Sequence, residues 1–304
     1  MATEQWKIGD VTVTKIDEVE FWAPMEFLDN TLASSTREEV EAMKWLDPTW
    51  MNFDDSTVNG SVNSFLIETP TKKLVVDTGV GNGRARQNES FNMLQTDYLE
   101  RFRKVWDPAE VDAVVSTHLH TDHVGWNTHL VDGAWVPTFP NATYHFVREE
   151  FEFWQEFVRT DGAGTSYSEF ARKMMDVTAV FEDSVRPVAD AGLVSFVEPG
   201  GALTPEVSLV PSYGHTPHHV AVRIESKGES AVITGDLMHC ACQVTRPDWS
   251  AEFDFDKHAS AESRDALVKR YADTGTLILS AHLGTPTGGH IVSDGDSFKI
   301  VPVR

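Results

Sequence analysis

Thr117-His118-Leu119-His120-Thr121-Asp122-His123-Val124-Gly125 places four potential metal ligands within six residues. The string follows Val111-Asp112-Ala113-Val114-Val115, an apolar run that reads as a buried strand. Histidines at i and i+2 can turn two imidazoles toward one point. The aspartate and histidine at i+4 and i+5, across the turn, can reach a second point nearby. Imidazole and carboxylate together suit zinc or another borderline divalent ion, a pattern that a merely solvated polar turn does not require.

Working outward, further candidate ligands sit where strands are expected to end. Val207-Ser208-Leu209-Val210-Pro211 is followed by Gly214-His215-Thr216-Pro217-His218-His219. Ala231-Val232-Ile233-Thr234 leads into Gly235-Asp236-Leu237-Met238-His239, and Leu277-Ile278-Leu279-Ser280 into Ala281-His282. Strand ends bring polar side chains to the rim of a sheet, where several loops can converge on one pocket.

Alternation at Trp6, Ile8, Val11, Val13 and Ile16 predicts one or two strands around Gly9-Asp10. Further strands are expected at 61–68, 72–77, 112–117, 143–147, 193–197, 207–211, 219–225, 230–235, 276–281, 289–293 and 297–302. The series 61–117 and 193–302 suggest two sheets. Helical spacing occurs at Phe91, Leu94, Tyr98 and Phe102, at Phe151, Trp154 and Val158, near Phe170 to Phe181, and from Ala261 to Tyr271. Mostly antiparallel sheets with helices outside make an α+β four-layer sandwich. With no Pro/Gly/Ser-rich linker, residues 1–304 are expected to form a single domain. Segments 20–60 and 148–185 fit the sandwich poorly and are expected to be pocket-lining or interface insertions.

The chain has 304 residues, 41% hydrophobic and 10% aromatic, which is enough to bury a large core. Its 47 acids against 25 bases give a net charge of −22, which disfavours nucleic acid or an anionic membrane as partner. No apolar run is long enough for a transmembrane helix, and Met1-Ala2-Thr3-Glu4-Gln5-Trp6-Lys7 shows no secretory signal, so a cytoplasmic location is expected. Cys240 and Cys242 are expected on a strand as small buried residues of a reduced compartment.

With these motifs in order, the chain is identified as a member of the metallo-β-lactamase-fold superfamily. The resemblance runs from Asp77-Thr78-Gly79 to His282 and implies an αββα sandwich with a metal pair at the edge between the sheets. It assigns His118, His120 and His215 to a first metal and Asp122, His123 and His282 to a second, with Asp236 bridging both. Asp77 matches a supporting aspartate, a role that fixes imidazole tautomer and orientation. Two divalent ions, two carboxylates and a bridging hydroxide leave the site near a charge of about +1, enough to acidify bound water and polarise a carbonyl or phosphoryl oxygen. Zinc is the expected metal, with manganese, iron or cobalt as alternatives.

Single positions narrow the branch. An oxygen-reducing di-iron relative would carry glutamate where His120 stands, and true β-lactamases usually lack the equivalent of either His123 or Asp236. Thioesterases of the glyoxalase II type add basic residues that are missing here. Asp122-His123-Val124-Gly125-Trp126-Asn127 and Gly235-Asp236-Leu237-Met238-His239 resemble the lactonase and organophosphate hydrolase branch. His239 stands where many acyl-homoserine lactonases have tyrosine, which resembles the organophosphate hydrolases.

The expectation is therefore a dinuclear zinc hydrolase of small, largely apolar esters or lactones. Phosphotriester hydrolysis or hydrolytic dehalogenation is the rival, and a non-catalytic metal-binding module the remote one. Asp122, His239 and Asp236 are the candidate catalytic residues. His219 is expected to make a structural hydrogen bond, His218 to face solvent, and His145, His258 and His290 to be bystanders. Trp22, Trp45, Trp50 and Trp126 are the candidate pocket wall. The expected partner is a small-molecule substrate, and an aromatic 20–60 segment is equally compatible with a homodimer interface.

Overall fold

The computed structural model describes residues 4–32 and 34–303; residues 1–3 of the N-terminal stretch, Ala33 in segment 20–60 and Arg304 lie outside the described residues. In chain order the strands are β1 (Gln5–Ile8), β2 (Val11–Pro24), β3 (Met51–Asn52), β4 (Thr57–Glu68), β5 (Lys73–Val76), β6 (Ala113–Val115), the hairpin β7 (Thr128–Val131) and β8 (Ala134–Pro137), β9 (Thr143–Val147) and β10 (Val194–Val197). They continue with β11 (Val207–Pro211), β12 (Val220–Ser226), β13 (Glu229–Ile233), β14 (Leu277–Leu279), β15 (Gly288–Asp294) and β16 (Ser297–Pro302). One sheet runs β1-β2-β4-β5-β6-β9-β10 with β3 on β4, and the other runs β11 to β16 in sequence order.

Alternation along the central strands builds the layers. Leu74 and Val76, Ala113 and Val115, Ala231 and Ile233, and Leu277 and Leu279 meet in one core between the sheets. Their intervening neighbours point the other way. Val75 and Val114 pack under Tyr98, Phe102, Trp154 and Phe157, while Val232 and Ile278 pack under Leu267, Val268 and Tyr271. Strands buried on both faces read as continuous apolar runs, which is why they were legible. Helices Tyr98–Arg103 and Arg148–Thr160 thus cover one sheet and Lys257–Tyr271 the other, an αββα sandwich of α+β class.

The structure changes several expectations. The strand near 193–197 joins the first sheet, parallel to β9 with Val194 opposite Tyr144, because the helical stretch after β9 forms the long crossover that parallel pairing requires. β5/β6, β6/β9 and β13/β14 are also parallel. The helix expected from Phe91 begins only at Tyr98. Asn82 and Asn88 side chains accept from Thr96 N and Ser90 N, holding residues 82–96 in turns. Cys240 and Cys242 are buried as expected but sit at a 3₁₀ turn, Ala241–Val244, not on a strand. Among the described residues no helix is long and apolar enough to cross a membrane.

Parallel pairing positions the site. β5 and β6 end at the same edge, so Asp77 follows Val76 directly beside the start of the His118 loop, with Thr117 N donating to Asp77 Oδ1 at 2.8 Å. β13 and β14 likewise end together, delivering Asp236 and His282. The two rims are stitched by Val220 N donating to Thr117 O at 3.0 Å.

Candidate metal centre

Asp236 lies in a short 3₁₀ turn after β13, entered through Gly235 at φ +52°. A Cβ on Gly235 would stand 2.6 Å from His219 Nε2, so glycine is required by both conformation and space. His219 in turn receives the Asp236 amide at 3.1 Å and places Nδ1 2.8 Å from Ser212 Oγ. Its role in the structure is to seat the Asp236 turn.

The Asp236 carboxylate looks two ways. Oδ2 is 3.2 Å from His215 Nε2 and 3.8 Å from His118 Nε2, and His120 Nδ1 lies 3.0 Å from His215 Nε2. Oδ1 is 2.9 Å from both His123 Nε2 and His282 Nε2. Asp122 closes this second group, 3.8 Å from His123 and 3.9 Å from His282. The structure thus brings together His118, His120, His215 and Asp236 in one group of donors and Asp122, His123 and His282 in another. His239 joins Asp236 and His282 in a third grouping, with Nε2 3.2 Å from Asp236 Oδ2 and its ring stacked on His282.

Outer partners fix the inward imidazole nitrogens. His123 Nδ1 is 2.8 Å from Asp77 Oδ2, His215 Nδ1 is 2.8 Å from Asp254 Oδ1, and His282 Nδ1 is 3.0 Å from the Ser61 carbonyl. Each partner sets ring orientation and leaves the opposite nitrogen free to face the cluster. His118 Nε2 is buried without a hydrogen-bond partner. Buried imidazoles and carboxylates whose free atoms converge in this way fit a divalent cation of borderline softness.

Electrostatics point the same way. Burial opposes an ionised Asp236, yet His123, His282, His118 and His215 hold its carboxyl well below the usual range. Burial alone would lower His123, His215 and His282, but Asp236 raises all three, helped by Asp77 at His123 and by Asp254 at His215, which reaches about 9. Burial and the neighbouring histidines push His118 and His120 well down. A cation entering here would displace the protons on the raised histidines.

His120, Asp122, Asp236, His239 and His282 form the floor of a cavity of about 640 Å³, lined also by Phe21, Ala23, Phe27, Phe91, Phe170, Met174 and Phe253. The tryptophans expected in this wall are elsewhere. Trp22 is 49% exposed because strand alternation turns Phe21 and Ala23 inward and Trp22 outward. Trp50 is buried with Nε1 on the Pro286 carbonyl, Trp45 packs edge-on against it, and Trp126 stacks on Tyr98 and donates to Glu18. From residues 20–60 the cavity takes Phe21, Ala23, Phe27, Leu28, Thr31 and Val58 to Gly60, and from 148–185 Phe170, Met174 and Met175. His218 is partly exposed, and His145, His258 and His290 belong to none of the donor groups found among the described residues.

Sequence reasoning also passed over Asp254, Glu18 and Glu150. Asp254 lies 39 positions from His215, and Glu18 accepts from Val80 N, Gly81 N and Trp126 Nε1. No spacing rule marks such residues; only their contacts do.

Two packed sheets flanked by helices thus carry, at their rim, a His/Asp cluster suited to holding metal. A family model described as the metallo-beta-lactamase superfamily matches residues 57–282, and the chain belongs to that superfamily. No curated protein matches the chain at a significant level. Among solved structures it is similar to the hydrolase AbOPH of the beta lactamase superfamily (TM-score 0.80, 23% identity, covering 99% of this chain and 97% of that one). It is also similar to AidC, a dizinc quorum-quenching lactonase in complex with a product (0.77, 20%, 99% and 97%). A third is a probable metal-dependent hydrolase from Staphylococcus aureus (0.70, 18%, 98% and 100%). At these identities the likeness is one of fold.

Proposed function

We propose that the chain is a dinuclear zinc-dependent hydrolase of small, largely apolar esters or lactones. The observation that carries this reading is Asp236, whose two oxygens face separate donor groups at the floor of an apolar cavity. His118, His120 and His215 would hold one ion, Asp122, His123 and His282 the other, and Asp236 both. When bound, such ions lower the pKa of a shared water and polarise an acyl oxygen.

The chain's own residues do the rest. Phe21, Phe27, Phe91 and Phe170 desolvate an apolar tail, as the walls of small-molecule sites generally do. Asp122 and His239 stand where the cluster meets the cavity and can hold a proton for the departing oxygen.

His239 beside Asp236 supports a second reading, phosphotriester hydrolysis or hydrolytic dehalogenation at the same residues. A panel of aryl esters, γ- and δ-lactones and a phosphotriester, run with metal analysis, tests both. Two zinc ions per chain and chelator-sensitive ester or lactone turnover are expected. A roughly tenfold higher kcat/KM for the phosphotriester would replace the first reading with the second. One tightly held metal and no turnover would indicate a non-catalytic metal-binding module.

A further inference from the structure

Glu150 is 1% exposed, in the first turn of the helix Arg148–Thr160 that starts directly after β9. A buried carboxylate is costly unless donors converge on it. Here Trp154 Nε1 donates at 2.6 Å, Thr216 Oγ1 at 2.9 Å and the His218 amide at 3.2 Å. The Leu119 amide also faces the carboxylate and makes the smallest of the four contributions that favour its charge. The origin of these donors carries the inference. Leu119 lies between His118 and His120, and Thr216 directly follows His215. One carboxylate therefore ties together the two loops whose imidazoles face Asp236 Oδ2, and none of its hydrogen bonds reaches Asp122, His123 or His282. Trp154, one turn further along the helix, grips Oε1 and sets its ring edge-on to His120 with centroids 5.4 Å apart.

We propose that Glu150 is a positioning residue that holds the His118–His120 loop against the His215 loop, and so governs occupancy of that half of the cluster alone. This rests on the metal-centre reading above. Glu150 does not line the cavity, so it acts on substrate only through the histidines.

The test uses metal-depleted full-length protein titrated with zinc against a chromophoric chelator. Zinc occupancy of each half is read by anomalous scattering in crystals equilibrated at limiting zinc. Glu150→Gln turns an amide NH₂ toward one of the four donors, and Thr216→Val removes one donor at nearly constant shape. Both should weaken zinc binding at the His118/His120/His215 half by about tenfold or more, leaving the other half within about twofold. Thr216→Val should add little in the Glu150→Gln background, because both break the same tie. Trp154→Phe, which removes the Oε1 donor beside His120, should weaken the same half and leave the other within about twofold.

Equal losses in both halves, or no change in Thr216→Val, would overturn the positioning role. If Glu150→Gln fails to fold, Thr216→Val decides the question alone. A wild-type chain that takes up no zinc would refute the metal-centre reading, and this proposal with it; zinc uptake with unselective losses would refute this proposal alone.

Discussion

Replacing Asp254 with asparagine keeps the shape of a fully buried side chain and changes what it offers His215. In the native chain Oδ1 lies 2.8 Å from His215 Nδ1, Oδ2 accepts from Ala251 N at 2.9 Å, and Arg264 Nη2 is 3.7 Å away. An asparagine oxygen can serve only one of the two sites. Turned to His215, it sets an NH₂ against the Ala251 amide. Turned to Ala251, it presents the NH₂ to His215 Nδ1, which shifts the ring proton to Nε2 and blocks the inward nitrogen. Loss of such an orienting partner costs about 10–100-fold in metal affinity, or about 1.4–2.7 kcal/mol.

Proton competition complicates the measurement and supplies its control. Burial lowers His215, but Asp236 and Asp254 bring it to about 9, so at pH 7 a proton competes with zinc by about 100-fold. Asp254→Asn relieves part of that competition, which masks part of the orientation loss near neutrality. Above about pH 9 only the orientation loss remains. The expected result, from chelator-competition titrations, is a flatter pH dependence for the variant and a deficit of about 10–100-fold at the alkaline end. Affinities agreeing within about twofold there, in a folded variant, would refute the claim that Asp254 orients a zinc ligand.

Gly235→Ala should yield little folded protein, because φ +52° and a Cβ 2.6 Å from His219 Nε2 both oppose it; thermal unfolding and soluble yield report this. Phe170→Ala should raise KM for esters with long apolar tails by about 3–10-fold and leave the acetate ester unchanged, as steady-state kinetics across chain length would show. Trp126→Phe should lower stability by about 1.5–3 kcal/mol through the lost bond to Glu18, with KM unaffected. Burial raises Glu18 above its usual value despite its donors. Its stabilising contribution is therefore complete below the unfolded value near 4.5 and lost as pH rises through the folded one. The Tm of Glu18→Gln relative to wild type should accordingly climb from pH 4 to 7, and a flat difference would contradict this.

What could be read from the chain followed two regular signals. Period-two alternation from Trp6 to Ile16 and continuous apolar runs in doubly buried strands such as Leu277–Leu279 predicted the sheets, and short-range spacing predicted the ligand-type cluster. Features that depend on partners distant in sequence were not legible. Asp254 becomes significant only because residues 251–256 fold back onto His215, and Glu150 only because its helix docks beneath two loops. Residues 20–24 went unrecognised as strand, so Trp22 was assigned to the pocket when its neighbours Phe21 and Ala23 hold those positions. The helix expected from Phe91 was lost to asparagine side chains that capture backbone donors, a competition that apolar spacing does not register.

The stitch between the two rims, Val220 N to Thr117 O, together with His282 Nδ1 on the Ser61 carbonyl, has a consequence for folding. Donors from both sheets meet at one point, so an ion held there acts as a rivet, and the sheets cannot part without releasing it. Zinc at a hundredfold excess over its Kd would add about 2.7 kcal/mol to the stability of the whole sandwich. Metal supply would then determine how long each copy of the chain survives as well as whether it can turn over substrate, and metal-starved copies would be the first to open to proteolysis.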